Sequence, residues 1–351
     1  MTHSDMDIKT GIRQLFKDNF TVSREWLDFY FSTAYDERCA LTAEQDGAIA
    51  SSLMLDSYSM KLGDSLIDTG YIFGASTARR QRGKGLMSAL LKDALAEARN
   101  RGLALVNLIP ASDRLYFYYE RFGFTTVFYS ERQRYTSAHR FYIGDRYHRV
   151  DVDYDDFNRL ELMRRATVIH SRDDFDYAVS DTSLDGGRVV AVADDDGVTC
   201  AVAFATPGND SLHVRILLAV DDNAAEAVMG ELKKEYPDLM FVVDACPGSN
   251  PASLCRQGMT RITDVGLLLD AVAANDPASE QVIRVHDSLI PQNNGVYIIS
   301  GGAVTYTDAT IRRLTLDVDV STLARIIFNS PRVGAVFGLP SMRPTLQLMP
   351  E

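Results

Sequence analysis

Cysteine and tryptophan are scarce in this chain, and its sequence contains no long apolar run. The 351 residues include four cysteines, one tryptophan and six histidines. The cysteines are sparse and unpatterned, which excludes a disulfide scaffold and favours reduced residues of a cytoplasmic protein. The histidines are scattered singly and indicate no metal site, and no segment approaches the ~18 apolar residues of a membrane span. The N-terminus, Met-Thr-His-Ser-Asp-Met-Asp, does not resemble a signal peptide.

Positive charge is in deficit, with 36 Lys and Arg residues against 48 Asp and Glu residues and a formal net charge of -12. This balance argues against nucleic acid as a general partner and favours a cationic small substrate. A hydrophobic content of 46% with 24% charged residues is typical of globular proteins. The length predicts two or three domains with ample core. Composition therefore indicates a globular protein and adds little about its function.

The segment from residue 72 to residue 91 is the most informative part of the sequence. An apolar run ends in small residues at 75–77, a turn rich in Arg and Gly follows, and a helical pattern of leucines begins at Leu86. A strand that enters a glycine-containing loop at the start of a helix makes a cradle for phosphate, because loop amides and the positive helix end converge there. The predicted guest is a pyrophosphate. The basic residues around the cradle are Arg79, Arg80, Arg82 and Lys84.

Two well-known phosphate loops do not fit these letters. A P-loop needs Gly, four residues, Gly, Lys and then Ser or Thr, but Gly83-Lys84 is followed by Gly85 and Ala78 replaces the first glycine. The Rossmann pattern Gly-x-Gly-x-x-Gly has Ser88 in place of its third glycine. The segment instead resembles the acetyl-CoA loop of GCN5-related N-acetyltransferases (GNAT), written Arg/Gln-x-x-Gly-x-Gly/Ala.

The GNAT pattern fits in two registers, from Arg80 to Gly85 and from Arg82 to Met87. The first matches every letter, whereas the second has Met87 where Gly or Ala is usual. We prefer the second register, since it keeps the family's spacing from the strand end and starts the helix in phase. The resemblance implies that acetyl-CoA is bound by the strand end and the loop. These residues are Ala75, Ser76, Thr77, Arg82, Gly83, Lys84, Gly85, Leu86, Met87 and Ser88.

A second motif lies downstream of the loop. Residues 103–109 are predicted to form a buried strand, and residues 113–124 a helix that ends at Gly123 before the next strand. The stretch Tyr118-Tyr119-Glu120-Arg121-Phe122-Gly123-Phe124 resembles the GNAT signature Phe/Tyr-Tyr-Glu-x-x-Gly-Phe. Two independent motifs in the family's order make the resemblance specific. It implies a catalytic Tyr119, although an aromatic residue in such a stretch can also serve packing alone.

The first 145 residues fit one GNAT domain in order. Helices are predicted at 8–20 and 23–35, hairpin strands at 38–44 and 48–56, a cofactor strand at 66–77, and closing strands near 124–129 and 131–136. In the family the cofactor wedges between two splayed parallel strands, which here are 66–77 and 103–109. Trp26 and Tyr30, one helical turn apart, are candidates for a substrate wall or for the core.

Residues 146–274 repeat this plan without its chemistry. The predicted elements are a helix (157–165), paired strands (188–193 and 198–204), a strand (212–220), a helix (223–236), a strand (239–245) and a second helix (251–259). Asp221 and Asp222 stand where the cofactor loop belongs and would repel pyrophosphate. Acidic clusters in this region lack the spacing of a calcium loop. We interpret the region as a degenerate GNAT copy that binds no CoA.

Beyond a predicted linker at 275–280, strands are expected within 282–300 and at 304–307 and 313–320, with a capped helix at 321–328. This pattern resembles the core of sterol-carrier-like domains. A catalytic GNAT domain (1–145), a degenerate copy (146–274) and a sterol-carrier-like domain (275–351) together resemble the enhanced intracellular survival (Eis) family. The implied fold class is α/β (α+β), with tandem GNAT folds of mixed twisted sheets flanked by helices and a small α+β C-terminal domain.

The Eis resemblance implies a transferase that moves acetyl from acetyl-CoA directly to an amine in a ternary complex. The acceptor would be a small amine, aminoglycosides among them, or a lysine side chain of a protein. Tyr119 would be the general acid, and a carboxylate at Glu351 would lie in the active site, although the family's usual aromatic end is absent. The tail would then thread back across the N-terminal domain, with Leu346, Leu348 and Met349 buried.

No metal, nucleic-acid partner or membrane span is expected, and homo-oligomer formation is left open. Two rival interpretations also remain at this point. One is an acyl or aminoacyl transferase built on tandem copies of the same fold. The other is a non-catalytic protein that binds acyl-CoA or lipid and whose CoA site is vestigial.

Overall fold

The computed structural model describes residues 7–142, 144–246, 254–329 and 343–350. The chain divides into two compact units. The first comprises Met1–Val127, Gly258–Arg343 and Pro350–Glu351, and the second comprises Phe128–Gln257 and Pro344–Met349. Both combine helices with mixed sheets, which is the predicted fold class.

The first unit opens with two helices and a hairpin, followed by the expected strand, helix, strand and helix. These elements are α1 (Ile8–Asn19), α2 (Arg24–Thr33), β1 (Ala40–Gln45), β2 (Ala48–Leu62), β3 (Ser65–Thr77), α3 (Leu86–Asn100), β4 (Leu105–Leu108), α4 (Asp113–Glu120) and β5 (Thr125–Tyr135), of which β5 continues into the second unit. Strands β1 to β3 pair antiparallel, and β4 runs parallel to β3. The predicted hairpin is confirmed, with Asp46 and Gly47 at positive φ in its turn.

Helix α3 forms because apolar residues recur at helical spacing along one face. That face is buried against β2, β3 and β4, and so it holds the start of α3 beside the end of β3. The buried residues of α3 are Leu90, Leu91, Ala94, Leu95 and Ala98.

One prediction for the first unit is wrong. Two closing strands were expected near 124–129 and 131–136, but β5 is a single strand. The residues at the expected break are Tyr129, Ser130 and Glu131, and none of them is a Gly, Pro or Asn that would favour a turn.

The second unit repeats the order strand, helix, parallel strand. Its elements are β6 (His148–Val150), α5 (Tyr154–Glu161), β7 (Ala166–Ile169), α6 (Arg172–Leu184), β8 (Arg188–Ala193), β9 (Thr199–Pro207), β10 (Ser211–Ala219), α7 (Asp222–Glu235) and β11 (Met240–Ala245). The sheet order is β5-β11-β10-β9-β8-β6, with β10 and β11 parallel. The sequence analysis missed α6, whose capping box of Ser171 and Asp174 was the available signal.

The helix predicted at 251–259 is also wrong. Residues 247–253 lie outside the described ranges, and the remainder belongs to strand β12 (Leu254–Ile262). Its C-terminal half pairs antiparallel with β4 from Met259 to Ile262. Pairing with β4 satisfies the backbone hydrogen-bonding groups of β12, and Gly258 disfavours a helix in the same segment because glycine has a low helix propensity.

The remainder of the first unit is a four-stranded sheet with two helices. Its elements are α8 (Val265–Asn275), β13 (Gln281–His286), β14 (Gly295–Ser300), β15 (Ala303–Thr307), β16 (Leu316–Asp319) and α9 (Val320–Asn329). The strand order is β15-β14-β13-β16, and β13 runs parallel to β16. The strand segment predicted within 282–300 is interrupted by a 3₁₀ turn at Pro291–Asn293. The first residue of the predicted linker is held in place by a hydrogen bond, since the side-chain amide of Asn275 donates to Leu62 O at 2.8 Å.

Candidate active site

A cavity of about 1090 Å³ opens in the first unit, where β3 and β4 stop pairing. The end of α1, the start of α2, the loop before α3 and helix α4 close its sides. Its walls include nine of the ten residues predicted to bind the cofactor, together with Tyr119. These nine are Ala75, Ser76, Thr77, Arg82, Gly83, Gly85, Leu86, Met87 and Ser88.

The gap between the strands has a defined end. Parallel pairing of β3 with β4 runs from Thr69 opposite Leu105 to Ile72 opposite Leu108, and the next residues of both strands line the cavity. Beyond this point β3 bulges against β2, where its register shifts around Gly74. Gly74 has a φ of 61°, and a Cβ there would lie 2.3 Å from Phe16 Cζ. Only glycine fits this bulge without a shift of the neighbouring ring.

The loop that ends at α3 has the geometry of an anion cradle. Gly83 and Gly85 have φ values of 79° and 86°, and Gly85 is the N-cap of α3 without a side-chain capping bond. The first N–H groups of α3 have no partners within the helix, so they are available to a ligand. A Cβ at either glycine would meet open space, so the positive φ is what favours glycine here. Helix α3 starts at Leu86, as the preferred motif register requires.

Two basic residues of the loop behave differently. The guanidinium of Arg82 donates to Thr77 O at 3.2 Å and to Asn19 Oδ1 at 2.5 Å, which ties the loop to β3 and α1. Lys84 is the one predicted cofactor residue that does not line the cavity. Its ammonium donates to Gln81 Oε1 at 2.6 Å.

The end of β3 offers an unsatisfied polar atom to the cavity wall. Ser51 Oγ lies 3.0 Å from Ser76 O and 2.8 Å from Thr77 Oγ1. Within the described part of the chain, the buried Ser76 Oγ has no hydrogen-bond partner. A buried hydroxyl without a partner is costly, and a ligand group in the cavity would satisfy it. The cradle and this hydroxyl fit a co-substrate that carries both phosphates and hydrogen-bonding groups.

Tyr119 lies on α4 and lines the cavity from the opposite side. It is 7% exposed and packs against Tyr118 and Phe124, with ring centroids 5.4 and 5.8 Å away. Burial, with a smaller contribution from Tyr118, raises the pKa of Tyr119 to about 12. The Tyr118 hydroxyl lies 3.1 Å from Ser88 Oγ, which joins α4 to the first turn of α3. The phenol of Tyr119 is therefore protonated at neutral pH.

The end of the chain reaches the same cavity. The Tyr71 hydroxyl donates to Pro350 O at 2.9 Å, and both residues line the wall. Leu346, Leu348 and Met349 are buried, as predicted, but the expected path of the tail across the N-terminal domain is wrong. Residues 344–349 belong to the second unit, where Leu348 packs in the core cluster of Phe157 and Leu160. Glu351, the predicted second catalytic residue, lies outside the described residues, so its placement stays a prediction.

Trp26 and Tyr30, the two aromatic candidates on α2, have different positions. Ser23 Oγ caps α2 by accepting from Trp26 N, and the Trp26 ring stacks on Tyr30 at 5.4 Å with an interplanar angle of 5°. Trp26 lines the cavity, whereas Tyr30 is 2% exposed and belongs to the core. The sequence analysis missed several lining residues, because no motif marks them. They are Phe16, Phe20, Val22, Tyr71, Arg114 and Arg121.

The corresponding strand–helix junction of the second unit is closed by its own side chain. Asp221 is the N-cap of α7, and its carboxylate accepts from Ala224 N at 2.8 Å. In the described ranges, no three His, Cys, Asp or Glu side chains are grouped closely enough to hold a metal ion. None of the described helices has both the length and the apolar character needed to cross a membrane.

Comparison with known proteins agrees with this geometry. Residues 4–127 match the acetyltransferase (GNAT) domain, and residues 265–336 match the sterol carrier protein domain. A search of curated proteins finds no match.

Similar solved structures cover nearly the whole chain. Eis1 from Mycobacterium abscessus is 16% identical, with 97% of this chain and 91% of that chain covered and a TM-score of 0.70. A probable N-acyltransferase from Enterococcus faecalis V583 is 15% identical, with 91% and 87% covered and a TM-score of 0.73. A GCN5-related N-acetyltransferase from Anabaena variabilis ATCC 29413 is 16% identical, with 95% and 90% covered and a TM-score of 0.73. At such identities the likeness establishes the fold.

Proposed function

We propose that this chain, which has a GNAT domain and a sterol carrier protein domain in an Eis-like architecture, transfers acetyl from acetyl-CoA to an amine. The observation that carries this proposal is one cavity that joins the glycine loop at the start of α3 to Tyr119 on α4. The acceptor would be a small amine or a lysine side chain, bound together with acetyl-CoA in a ternary complex. Four free cysteines and the use of acetyl-CoA fit a cytoplasmic enzyme.

Acetyl-CoA would be held by its pyrophosphate at the start of α3. Backbone N–H groups from Arg82 to Ser88 would donate to the phosphate oxygens, because Gly83 and Gly85 turn the loop around one point. Backbone groups from Ala75 to Thr77, at the bulged end of β3, would orient the thioester in the gap beside β4. An amide there can polarise the thioester carbonyl as negative charge develops on its oxygen.

Tyr119 is assigned the role of general acid. The departing thiolate must gain a proton, and a phenol with a pKa of about 12 carries one at neutral pH.

Proton removal from the substrate ammonium is assigned to a carboxylate of Glu351. The residue before it, Pro350, is held at the cavity by the Tyr71 hydroxyl, which supports this assignment. The ammonium proton first passes to the carboxylate, and the free amine nitrogen then bonds to the acetyl carbon. The carbon–sulfur bond breaks, and the thiolate takes the proton of Tyr119. The nitrogen still carries one proton more than an amide, and that proton passes through solvent to the Tyr119 phenolate, which restores the phenol.

We propose three modules for this work: a catalytic domain (1–145), a second copy without the cofactor loop (146–274) and a sterol-carrier-like domain (275–351). The acetyltransferase match falls in the first module, and the sterol carrier match at 265–336 begins in the last residues of the second and continues through most of the third. The capped start of α7 supports a second copy that binds no CoA.

The test is acetyl-CoA binding by calorimetry to the full chain and to Gly85→Glu. The new carboxylate stands at the start of α3 and repels phosphate, so binding is expected to fall below detection. The matched control is Gly301→Glu, since Gly301 also has a positive φ (60°) and open space around a Cβ but lies in the turn between β14 and β15. Unchanged acetyl-CoA affinity in Gly85→Glu would refute the assignment of the loop.

A further inference from the structure

We infer that the acceptor is a monoamine carried on an aromatic or other apolar body, rather than a polycation. The inference rests on the proposed acetyl transfer and names the class of acceptor. It concerns the side of the cavity formed by α1, α2 and β3, which we call the acceptor wall. Its residues are Phe16, Phe20, Val22, Trp26 and Phe73.

The acceptor wall is apolar and firmly supported. Phe16 is buried, with its ring 5.1 Å from Phe20 and 5.6 Å from Phe73, and Trp26 is stacked on the core residue Tyr30. Phe20, Val22 and Trp26 themselves are only partly buried, so they present apolar surface to the cavity. Rigid aromatic surface favours an apolar or aromatic ligand, because covering it removes apolar area from water and permits ring stacking.

The charges around the cavity disfavour a polycation. Among its described lining residues, every charged side chain is an arginine, namely Arg82, Arg114 and Arg121. None of the described lining residues is Asp or Glu, so several ammonium groups brought into the cavity would find no matching carboxylate there, and desolvated charges without partners cost free energy. The described lining of the cavity therefore does not share the negative net charge of -12 that the whole chain carries.

Nearby acidic residues do not change this balance. Asp28 of α2 forms an ion pair with Arg13, and neither Asp28 nor the exposed Glu25 lines the cavity. The apolar surface of the acceptor wall therefore matches an apolar body, and the described lining of the cavity offers no carboxylate for additional ammonium groups.

A direct test uses the fluorescence of Trp26, the only tryptophan of the chain. The full chain, saturated with CoA, is titrated with phenethylamine, spermidine and kanamycin. Phenethylamine is expected to change the emission saturably and to bind at least about ten-fold more tightly than either polycation, which corresponds to ~1.4 kcal/mol. No saturable change with phenethylamine, or tighter binding of spermidine or kanamycin, would overturn the inference.

Steady-state kinetics then locate the specificity. Phe20→Ala is expected to raise the KM for phenethylamine about ten-fold while the KM for acetyl-CoA stays unchanged, because a large part of a buried apolar side chain is lost. Val22→Ala, a smaller truncation, is expected to do the same to a lesser degree. The control is Phe117→Ala on α4, since Phe117 is 65% exposed and does not line the cavity. Equal KM values for phenethylamine in all four proteins would contradict the role of the wall.

The two proposals fail separately. If Gly85→Glu still binds acetyl-CoA, the assignment of the cofactor loop fails. If acetyl-CoA binding depends on Gly85 but polycations are acetylated in preference to phenethylamine, acetyl transfer stands and only the inferred acceptor class is wrong.

Discussion

The chain contains the same strand–helix junction twice, once before α3 and once before α7. In both cases the strand has a register shift against its antiparallel neighbour and runs parallel to the next strand. The first junction continues through a long loop to Gly85, whereas the second has only Val220 and Asp221 between strand and helix. The backbone plan is thus shared, and the difference lies in what stands at the helix N-terminus.

Each helix N-terminus attracts negative charge, because its first N–H groups and its dipole point outward. At α7 the chain supplies that charge itself, through the carboxylate of Asp221. At α3 the cap is Gly85, which has no side chain, and the N-terminus faces the cavity. The N-terminus of α7 is therefore occupied by its own aspartate, whereas the N-terminus of α3 is left open.

The largest expected effect is the loss of turnover when Tyr119, which lies beside the first junction, is replaced by Phe. The first junction has Tyr119 across its cavity, and Tyr119→Phe removes the hydroxyl group that carries the proton. Loss of a positioned proton donor typically lowers kcat on the order of 10²- to 10⁴-fold. The measurement is turnover on any accepted amine, with acetyl-CoA affinity checked by calorimetry and expected to be unchanged.

Tyr116→Phe is the matched control, since Tyr116 is a buried tyrosine of the same helix that does not line the cavity. It is expected to keep nearly full turnover. Because the pKa of Tyr119 is about 12, the wild-type pH profile should show no alkaline loss from this group below about pH 10. Full activity of Tyr119→Phe would remove the general-acid assignment.

The second prediction compares a buried ion pair in each unit. Arg261 and Asp287 of the first unit are each 1% exposed and 2.6 Å apart, and His170 and Glu161 of the second are 2% and 1% exposed and 2.7 Å apart. Asp287→Ala leaves a guanidinium that cannot lose its proton, so about 3–5 kcal/mol of stability should be lost. Glu161→Gln should cost less, because the imidazole can become neutral. Hydrogen exchange of β12, which carries Arg261, and of α5, which carries Glu161, reports the two losses separately.

The two pairs should also respond to pH in opposite directions. Burial acts to raise the pKa of Asp287, but the charge and hydrogen bond of Arg261 outweigh burial and lower this pKa below its usual value. The stability that the Arg261–Asp287 pair contributes is therefore complete above about pH 3.9, and it is lost as the pH falls through the lowered pKa of Asp287. Burial acts to lower the pKa of His170, but Glu161 outweighs it and raises the pKa. That stability is complete below about pH 6.5 and is lost as pH rises through the raised value. An opening free energy of α5, taken from exchange rates corrected for the intrinsic rate at each pH, that is larger at alkaline than at acid pH would contradict the second direction.

The smallest effect tests the cap itself. Asp221→Ala removes the bond to Ala224 N and should destabilise α7 by ~1 kcal/mol. Acetyl-CoA should still bind once per chain, because removal of a carboxylate does not build the glycine loop that the second junction lacks. Calorimetry of wild type and of Asp221→Ala gives both stoichiometries. Two acetyl-CoA molecules per chain in either protein would contradict the proposal that the second junction binds no CoA.

Local patterns predicted most helices and strands, but two failures are instructive. Helix α6 was not predicted because its sequence, rich in Asp and Ser, has weak apolar periodicity. Its formation depends on the packing of Phe175 and Ala178 in the core. The helix expected at 251–259 is contradicted by β12, since pairing with β4 overrides the local pattern. Both errors concern segments whose partners are distant in sequence.

The sequence by itself determined the loop before α3 and the Tyr119 motif. A turn that needs positive φ at Gly83 and Gly85, followed by an amphipathic helix, is specified within a few residues. Only the tertiary structure decided the rest of the cavity. Trp26 faces it while Tyr30 does not, and Pro350 reaches it through a hydrogen bond to Tyr71 that spans 279 residues. Such placements depend on how distant elements pack, and no local propensity encodes them.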